Sequence, residues 1–547
     1  MMSEYLIGID YGTLSARAVL VDSTNGKIIA EAERKYKHGV MDISLPCGIK
    51  LEKNSAYQHP EDYLECLSYV IRQVVSDAKI SASDVVGIGM DFTSCTMLPV
   101  DENCVPLCML KEFESEPHAY VKLWKHHSAQ AEADYITDKA IENHEEWISL
   151  YGGKVSSEWL FPKLLETLNK APDVYEKTYR FVEAADWITW KITGNEIHSS
   201  CMAGYKGMWN SEDGYPSNEF LESVNPKLGG IVGNKISEKI LPPGTKAGEL
   251  NEYGAELTGL NPGTAVSVPI IDAHAALPGN GIVSDKKMML IIGTSTCHIV
   301  MSKKQKKVPK ICGSVKDGII PGYIAYEAGQ AAVGDCFDWF VKNCVPAHYC
   351  KSAAEENKSI FELLNEKACR KSVFQSGLVA LDWWNGNRTP YADYDLSGMI
   401  VGLNMNTAPE DIYRALIEST AFGTKEIIDL YRENGIETDE IYASGGISQK
   451  NSFLMQIYAD VLGKKITVPA LLQAGAKGSA ILASCACGIY KTFEEAARNM
   501  CDNNVTVYFP NYENTKKYRE LYEIYKSVSD FFGQTNNTIM KKLKNLK

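Results

Sequence analysis

The stretch from residue 6 to residue 22 constrains the fold of this chain more than any other part of it. Two apolar runs, Leu6 to Ile9 and Ala18 to Val21, flank a polar turn that contains a glycine. Large apolar and β-branched residues on both sides of such a turn are typical of a buried β-hairpin. The sequence therefore predicts a hairpin here, with its polar turn at the end of two buried strands.

The turn of this hairpin carries groups that suit a phosphate. Gly12 lets backbone N–H groups approach an anion closely, and Thr13 and Ser15 add hydroxyl donors. Arg17 supplies a permanent cation, and Asp10 at the end of the first strand could hold a divalent ion through water. The alternative at this point is an ordinary hairpin in which Asp10 only caps a turn.

Length and composition bound the class of protein. A chain of 547 residues is too long for one hydrophobic core and predicts two or more domains. The content of 45% hydrophobic and 23% charged residues is typical of a globular protein. A formal net charge of −13 argues against a nucleic-acid partner, because contacts to phosphates need a basic face.

Targeting and redox signals favour the cytoplasm. The first residues predict a strand where a secretory signal would place a basic and then an apolar segment. No uninterrupted apolar run is long enough to span a bilayer, so no membrane partner is expected. The 15 cysteines are scattered without zinc spacing, and the 10 histidines show no metal-ligand pattern. We expect a reduced, cytoplasmic protein in which His126 and His127 form a pair on a helix surface.

Strands and helices alternate along the first half, which is typical of α/β architecture. A helix is predicted to begin in the run from His59 to Asp62. Residues 84–90 predict a buried strand that ends at Asp91. Ligands in open α/β sheets sit just beyond strand ends, so residues 91–96 are a candidate edge of a pocket. Residues 181–194 predict one helix closed by a glycine.

The second half repeats this pattern after a polar, Gly- and Pro-rich stretch at residues 210–263, near whose end we place a domain boundary. Asp272 follows an apolar strand, and a second glycine and hydroxyl turn begins at Gly293 and Thr294. A later strand leads to Gly445–Gly446 and then to a helix. A glycine pair between strand and helix lets a flat ring lie against backbone, as adenine requires. The last fifteen residues are expected to form a frayed basic tail.

Two phosphate-type hairpins, a strand-end aspartate between them and a late glycine pair form a specific set in this order. The set resembles the actin-like ATPase superfamily and, within it, the FGGY family of carbohydrate kinases, over residues 5–488. The resemblance implies an α/β fold of two actin-like, ribonuclease H-like domains with a nucleotide and sugar cleft between them. The expected domains are residues 1–270, with the sugar-binding elements and first phosphate hairpin, and 271–547, with the nucleotide-binding elements.

Six shorter motifs are similar to those of family members that phosphorylate L-ribulose. They are Asp91 to Thr96, Leu123 to His127, Ala203 to Lys206, Gly293 to Cys297, Glu327 to Gln330 and Asp382 to Arg388. The resemblance implies ATP-dependent transfer of a phosphoryl group to the terminal hydroxyl of a ketopentose, with L-ribulose going to L-ribulose 5-phosphate. His126 departs from the wider family, where an aspartate is usual at this place.

The resemblance also implies roles for residues in the nucleotide site. Asp272 would be the general base, and Asp10 would position Mg²⁺ on ATP through water. The residues expected to hold the nucleotide are Gly12, Thr13, Ser15, Arg17, Gly293, Thr294, Gly445, Gly446 and Asn451. Phosphoryl transfer needs charge neutralisation and in-line placement more than covalent help, which agrees with this set.

The expected partner is a small-molecule ketose. The resemblance implies that Ser94 and Cys95 bind it through their backbone, and Lys206, Glu327 and Asp272 through their side chains. Sugar hydroxyls need donors and acceptors in pairs, which Lys206 and Glu327 supply. The alternative for Lys206 is a surface lysine. The alternative for Glu327 is a carboxylate at a helix N-terminus. A homodimer is left open.

Two alternative functions also stay open. A kinase of another sugar or polyol, such as xylulose, D-ribulose or ribitol, would use the same machinery. A non-enzymatic actin-like ATPase module would lack the sugar-facing elements around Lys206 and Glu327. The sequence contains no P-loop signature and no protein-kinase His-Arg-Asp set, which excludes those routes of phosphotransfer.

Overall fold

The computed structural model describes residues 4–471, 473–501 and 504–546. The strands of these residues are β1 (Tyr5–Tyr11), β2 (Ser15–Asp22), β3 (Ile28–Lys35), β4 (Tyr57–Gln58), β5 (Val85–Phe92), β6 (Met97–Val100), β7 (Val121–Lys122), β8 (Arg180–Glu183), β9 (His198–Ser199), β10 (Ile240–Leu241), β11 (Lys246–Glu249), β12 (Ala265–Ser267), β13 (Ile270–Ile271), β14 (Lys287–Ile292), β15 (Thr296–Ser302), β16 (Gly313–Lys316), β17 (Ile324–Gln330), β18 (Val379–Leu381), β19 (Met399–Val401), β20 (Glu440–Ser444), β21 (Ile466–Pro469) and β22 (Val505–Tyr508).

The α-helices connect and cover these strands. They are α1 (Pro60–Ala78), α2 (Gln130–Glu142), α3 (Leu160–Lys170), α4 (Pro172–Lys177), α5 (Ala184–Thr193), α6 (Ser200–Lys206), α7 (Asn218–Val224), α8 (Ile231–Asn234), α9 (Glu252–Thr258), α10 (Asp272–Gly279), α11 (Gly334–Cys344), α12 (Ala347–Glu355), α13 (Ile360–Cys369), α14 (Pro409–Glu433), α15 (Gly446–Lys450), α16 (Ser452–Leu462), α17 (Ala474–Ala486), α18 (Phe493–Met500), α19 (Tyr512–Asp530) and α20 (Thr538–Asn545). Within the described residues, no helix is both long and apolar enough to cross a membrane.

The first large sheet is built on the predicted hairpin. Its strand order is β11-β12-β5-β1-β2-β3, and β13 also pairs with β5. Strands β1 and β2 are antiparallel, with Asp10 opposite Arg17, whereas β1 and β5 are parallel, with Asp10 opposite Asp91. Strand β13 runs parallel to the end of β5 and leads directly into Asp272. Three neighbouring strand ends therefore carry carboxylates.

The second large sheet has the order β16-β17-β15-β14-β20-β21-β22. Its central hairpin, β14 and β15, is antiparallel, and β20 lies parallel to β14 with Ser444 opposite Ile291. The pattern of the first sheet thus recurs here, because an antiparallel hairpin is again joined by a parallel strand. This confirms the α/β fold that the sequence predicts.

Helix α17 follows strand β21 of the second sheet in the chain but packs on strands β1 and β5 of the first sheet. A Cβ atom on Gly8 would lie 1.7 Å from the carbonyl oxygen of Ala476, and one on Gly89 would lie 1.9 Å from that of Ser479. Residues of α17 accordingly share one hydrophobic core with β1, β2 and β5. The domain boundary between residues 270 and 271 stays a prediction. Helix α17 belongs to the predicted second domain but packs on the sheet of the predicted first domain.

Local signals explain the start and end of helix α1. His59 is its N-cap and accepts a hydrogen bond from the backbone N–H of Glu61, and Pro60 occupies the first helical position. The helix ends at Lys79, which adopts a left-handed conformation. Its buried apolar stripe packs against β2 and β3. The predicted start of this helix is confirmed.

Three local predictions are wrong. Residues 181–183 belong to strand β8, which pairs with β6, and the helix begins only at Ala184. A short apolar run is compatible with a strand or a helix, and pairing with a neighbouring strand determines which one forms. His126 does not lie on a helix surface. It is buried, and its ring lies 2.9 Å from a Glu166 oxygen. The tail forms helix α20, with Met540 buried and Lys541 paired to Asp393 at 2.6 Å.

The close packing of α17 predicts an unequal response to two glycine substitutions. Gly8→Ala should lower the free energy of unfolding by about 1–3 kcal/mol or more, because the new methyl group meets helix backbone that cannot yield. Gly87→Ala is the matched control on the same sheet, since its Cβ would lie 3.2 Å from the Ala483 carbonyl oxygen. Urea unfolding of both variants measures the difference, and equal midpoints would contradict this packing.

Candidate active site

Asp10 and Asp91 lie side by side at the ends of β1 and β5. A Cβ atom built on Gly475 would lie 3.6 Å from the Asp10 Cγ and 3.3 Å from an Asp91 oxygen. The N-terminal turn of helix α17 therefore covers the pair. Arg17, on the neighbouring strand, places a guanidinium nitrogen 3.6 Å from an Asp10 oxygen.

Asp91 is the more deeply placed of these two acids. Its side chain is fully buried, and its Oδ2 accepts a hydrogen bond of 2.7 Å from the Ser479 hydroxyl. Its Oδ1 has no hydrogen-bond partner within the described residues. Burial, and then the nearby Asp10 carboxylate, raise the pKa of Asp91 well above its ordinary value. An unpaired, buried carboxylate oxygen is costly unless a cation or proton satisfies it.

Asp272 completes the group of three strand-end acids. Its Oδ1 accepts a hydrogen bond of 2.6 Å from the backbone N–H of Ala273 in the first turn of α10. Burial, assisted by the charge of Asp10, raises the pKa of Asp272 to about 7, although Lys206 acts in the opposite direction. A carboxyl group with a pKa near 7 is suited to accept a proton at neutral pH.

The turn between β1 and β2 offers backbone donors. Gly12 N–H closes the turn by donating to the Ser15 carbonyl at 3.0 Å. The N–H groups of Thr13 and Leu14 have no acceptor within the described residues, so they are available to an anion. Outside the turn, Gln58 donates to the Thr13 carbonyl at 2.8 Å and fixes its orientation.

Side chains around this turn differ in their availability. Trp124 donates from its indole N–H to the Thr13 hydroxyl oxygen at 3.1 Å, which leaves the Thr13 hydroxyl proton for another acceptor. The Ser15 hydroxyl instead donates to Glu33 at 2.7 Å. Arg17 also contacts Glu33, at 3.3 Å. Thr13 and Arg17 therefore face solvent more freely than Ser15, which is buried and already partnered.

The turn between β14 and β15 repeats this geometry. Gly293 N–H donates to the Ser295 carbonyl at 2.9 Å, as Gly12 does to Ser15. The N–H groups of Thr294 and Ser295 have no acceptor in the part of the chain that the structure describes. The Thr294 carbonyl accepts from Val333 at 2.7 Å, which anchors the turn to the start of α11. Two equivalent turns with unpaired backbone N–H donors are thus present within the described residues.

The glycine pair lies next to the second turn. Gly445 has a φ of 102°, and a Cβ atom there would lie 2.3 Å from the Ile292 carbonyl oxygen, so only glycine fits. No atom lies within 4 Å of a Cβ built on Gly446, which leaves an open backbone surface. Asn451 caps helix α16 by accepting from the Leu454 N–H at 3.0 Å. Its structural role is therefore established by geometry.

Lys206 and Glu327 meet in a buried charged cluster. The Lys206 ammonium lies 3.9 Å from a Glu327 oxygen, and His274 lies 3.2 Å from the same oxygen. The other ring nitrogen of His274 lies 3.1 Å from the Cys201 sulfur. Burial opposes ionisation of Glu327, but Lys206 and His274 together hold its pKa at about 2. The carboxylate is therefore charged and oriented, with a cation beside it.

The loop that contains Ser94 and Cys95 is held in an unusual conformation. Cys95 is fully buried and adopts a φ of 55°, in the left-handed region that non-glycine residues rarely occupy. The buried Lys163 ammonium donates to its carbonyl oxygen and, at 2.9 Å, to that of Leu123. The N–H groups of Ser94 and Cys95 have no acceptor within the described residues. The loop thus presents two free donors.

The expected residues fall into two connected groups. The first group surrounds Asp272. The charges of Asp10, Lys206 and Glu327 lie close enough to act on its pKa. The second group consists of Gly293, Thr294, Gly445 and Gly446 on the second sheet, because Gly445 touches the strand that leads to Gly293. The roles of all these residues stay predictions.

Sequence reasoning missed three side chains in this region. Asp91 and His274 lie within motifs that were singled out, yet no role was assigned to either. Lys163 carries no motif signal at all, since a lysine in an amphipathic helix usually faces solvent. Its position could have been suspected only from the apolar residues on the same helix face.

Comparison with known proteins identifies the family. The model of the N-terminal domain of the FGGY family of carbohydrate kinases matches residues 5–279, and that of the C-terminal domain matches residues 288–487. The chain therefore belongs to the FGGY family of carbohydrate kinases. The family assignment made from the sequence motifs is confirmed.

Similar proteins include ribulokinases. The ribulokinase of Geobacillus thermodenitrificans is 47% identical over 552 residues, covering 100% of this chain and 98% of the relative. That of Shouchella clausii is 48% identical, with the same coverage of 100% and 98%. That of Staphylococcus aureus is 43% identical over 100% of this chain and 99% of the relative.

Solved structures support the fold. The xylulose kinase of Rhodospirillum rubrum has a TM-score of 0.80 at 20% identity, covering 98% of this chain and 100% of that one. Plasmodium falciparum glycerol kinase with ADP has a TM-score of 0.74 at 17% identity, covering 96% and 98%. At such identities the likeness concerns the fold alone.

The contacts of Lys163 generate a prediction about stability. Lys163→Met keeps the aliphatic stem but leaves two buried carbonyl oxygens without their donor, which should cost about 1–3 kcal/mol of unfolding free energy. Lys154→Met is a control, because Lys154 is exposed. Urea unfolding followed by tryptophan fluorescence measures both. An unchanged midpoint for Lys163→Met would show that these contacts do not stabilise the loop.

Proposed function

We propose that this carbohydrate kinase transfers the γ-phosphoryl group of ATP to the terminal hydroxyl of L-ribulose, giving L-ribulose 5-phosphate. The observation that carries the reaction type is the half-buried Asp272, whose pKa of about 7 suits a general base beside the Lys206–Glu327 pair. The choice of L-ribulose rests on the ribulokinase relatives, which are 43–48% identical over nearly their full length.

Proton transfer in this reaction falls to one oxygen of Asp272. Its Oδ1 is occupied by the Ala273 N–H, so Oδ2 is the atom that accepts the hydroxyl proton. The deprotonating sugar oxygen forms a bond to the γ-phosphorus as the bond from that phosphorus to the β–γ bridging oxygen breaks. ADP leaves with that oxygen, and the proton remains on Asp272 until it is released to solvent.

The strand-end acids fit a divalent cation. Carboxylate oxygens are ligands that Mg²⁺ prefers, and Asp91 offers a buried oxygen without a partner next to Asp10. Asp10 would hold the ion through water, as inferred from the family. When bound, Mg²⁺ neutralises charge on the nucleotide phosphates. Arg17 orients Asp10 from the other side at 3.6 Å.

The remaining groups bind the two substrates. The free N–H groups of Thr13 and Leu14 on one sheet, and of Thr294 and Ser295 on the other, suit phosphate oxygens. The open surface at Gly446 suits an adenine ring. Lys206 donates to sugar hydroxyls and Glu327 accepts from them, while the Ser94 and Cys95 N–H groups add two donors.

The cellular setting is part of the same proposal. A ribulokinase acts in arabinose catabolism, and the cysteines agree with the cytoplasm, because those of the described residues other than Cys501 are not joined in disulfides. The assembly expected is a monomer or a homodimer. ATP and Mg²⁺ are the required nucleotide and ion.

A substrate panel tests the proposed function. Purified protein with ATP and Mg²⁺ is assayed for ADP release with L-ribulose, D-ribulose, xylulose, ribitol and glycerol. We expect the highest kcat/KM with L-ribulose, almost no ADP without a sugar, and loss of activity when EDTA removes Mg²⁺. Highest kcat/KM with another sugar would replace the substrate. ADP release that no sugar stimulates would favour an actin-like ATPase module instead.

The base assignment predicts a pH dependence and a mutant phenotype. Because the base must be deprotonated, kcat/KM should rise as the pH increases through about 7, the pKa of Asp272. Asp272→Asn should lower kcat by about 10²- to 10⁴-fold, with sugar binding largely retained by calorimetry. Asp138→Asn, at an exposed position, is the control. Activity of Asp272→Asn within a few-fold of wild type would remove Asp272 from the mechanism.

A further inference from the structure

One peptide bond in the loop after β5 is held from both sides by buried groups of opposite charge. The carbonyl oxygen of Cys95 accepts a hydrogen bond from the Lys163 ammonium. The N–H of Thr96, in the same peptide unit, donates to a Glu183 carboxylate oxygen at 2.9 Å. All four residues are buried. The reaction steps described above use neither of the two charged side chains.

The two charged groups act on the peptide and do not contact each other. In the part of the chain that the structure describes, Lys163 and Glu183 form no ion pair with each other. The peptide dipole lies between them, with its carbonyl oxygen at the cation and its N–H at the carboxylate. Hydrogen bonds in which one partner is ionised are stronger than those between neutral groups. The orientation of this peptide is therefore firmly set.

Burial acts against both charges, and their mutual attraction supports them. Burial raises the pKa of Glu183 and lowers the pKa of Lys163, because each charged group is removed from water. The charge of Lys163 opposes the first of these pKa shifts, and the charge of Glu183 opposes the second. Loss of either charge thus weakens the hold on the peptide from both sides.

The fixed peptide explains how Cys95 keeps an unfavourable backbone conformation. Its φ of 55° lies in the left-handed region, where a Cβ atom crowds the backbone. Rotation about the backbone bonds of Cys95 would relieve this crowding, but it would turn the peptide away from Lys163 and Glu183. The two charged groups therefore hold the loop in this conformation, and with it the direction of the Ser94 and Cys95 N–H groups.

The strand register places this loop beside the proposed base. Strand β13 runs parallel to the end of β5, so Asp272 and Thr93 are the first residues beyond two paired strand ends. Neighbouring strands lie about 4.8 Å apart. Ser94 and Cys95 follow directly, and their N–H groups have no acceptor within the described residues. Two free donors thus lie next to the place where the hydroxyl of the sugar would react.

We propose that Glu183 is a positioning residue for the ketose, because it sets, together with Lys163, the direction of the two free N–H donors of the loop. This inference rests on the proposed function, which assigns these donors to the sugar. Glu183 acts through the loop and makes no contact with the sugar itself. Contacts that hold a substrate equally before and during the reaction affect KM and leave kcat nearly unchanged. Loss of Glu183 should therefore act on KM for the sugar.

Two substitutions of Glu183 test this role in the ADP-release assay. Glu183→Met removes the acceptor and should raise KM for L-ribulose by about 10- to 100-fold, which corresponds to about 1.4–2.8 kcal/mol. Glu183→Gln keeps an acceptor oxygen but loses the charge, so it should restore much of the binding, with KM only about 3- to 10-fold above wild type. In both variants, kcat and KM for ATP should change less than about threefold.

Asp460→Asn is the matched control. Asp460, in α16, is also a buried carboxylate that accepts from a backbone N–H, that of Asn511 at 2.7 Å. It should lower the free energy of unfolding without raising KM for L-ribulose. Hydrogen–deuterium exchange of the peptide that contains residues 93–96 is the second readout. Exchange there should be faster in Glu183→Met than in wild type or Asp460→Asn.

Three outcomes would overturn the assignment. They are a KM for L-ribulose within about twofold of wild type in the folded Glu183 variants, an equal rise in KM for ATP, and a rise of the same size in Asp460→Asn. If Glu183→Met does not fold, Glu183→Gln decides by the same criterion. A wild-type protein that phosphorylates no sugar contradicts the proposed function itself, and this result is obtained before any variant is compared.

Discussion

The close approach of helix α17 to strands β1 and β5 is the contact on which the rest of the site depends. Gly8 and Gly89 leave no room for a side chain beneath the helix, which lets its backbone rest directly on the sheet. The same helix covers Asp91 through Ser479 and lies over Asp10 at Gly475. Burial raises the pKa values of both acids.

Asp272 and Glu327, two carboxyl groups of the candidate site, differ in pKa although burial acts to raise the pKa of both. Burial, and then the charge of Asp10, raise the pKa of Asp272 to about 7. Around Glu327, Lys206 and His274 outweigh burial, and its pKa is held at about 2. Asp272 thus titrates near neutral pH, whereas Glu327 stays ionised. This separation of pKa values between neighbouring acids is common in enzyme sites.

Much of the local structure could be predicted from the sequence. Both hairpins, the start of α1 and the glycine cap at Gly194 follow from turn residues and apolar periodicity, and each is present. Phe181 and Val182 were assigned to a helix because a short apolar run suits either structure, and pairing with β6 made them a strand. The sequence around His126 does not predict its burial, because its partner Glu166 lies forty residues away in the chain.

The sequence by itself determined the class of chemistry, since Gly12, Asp272 and Gly445 stand in local patterns that carry their own physical reason. Only the tertiary structure decided how these residues are tuned. Three contacts join residues far apart in the chain. Asp10 lies beside Asp91, His274 contacts Glu327, and Lys163 donates a hydrogen bond to the Cys95 carbonyl. Periodicity reports which face of an element is buried. It does not report which distant charge will lie beside a buried group, and the pKa of that group depends on this neighbour.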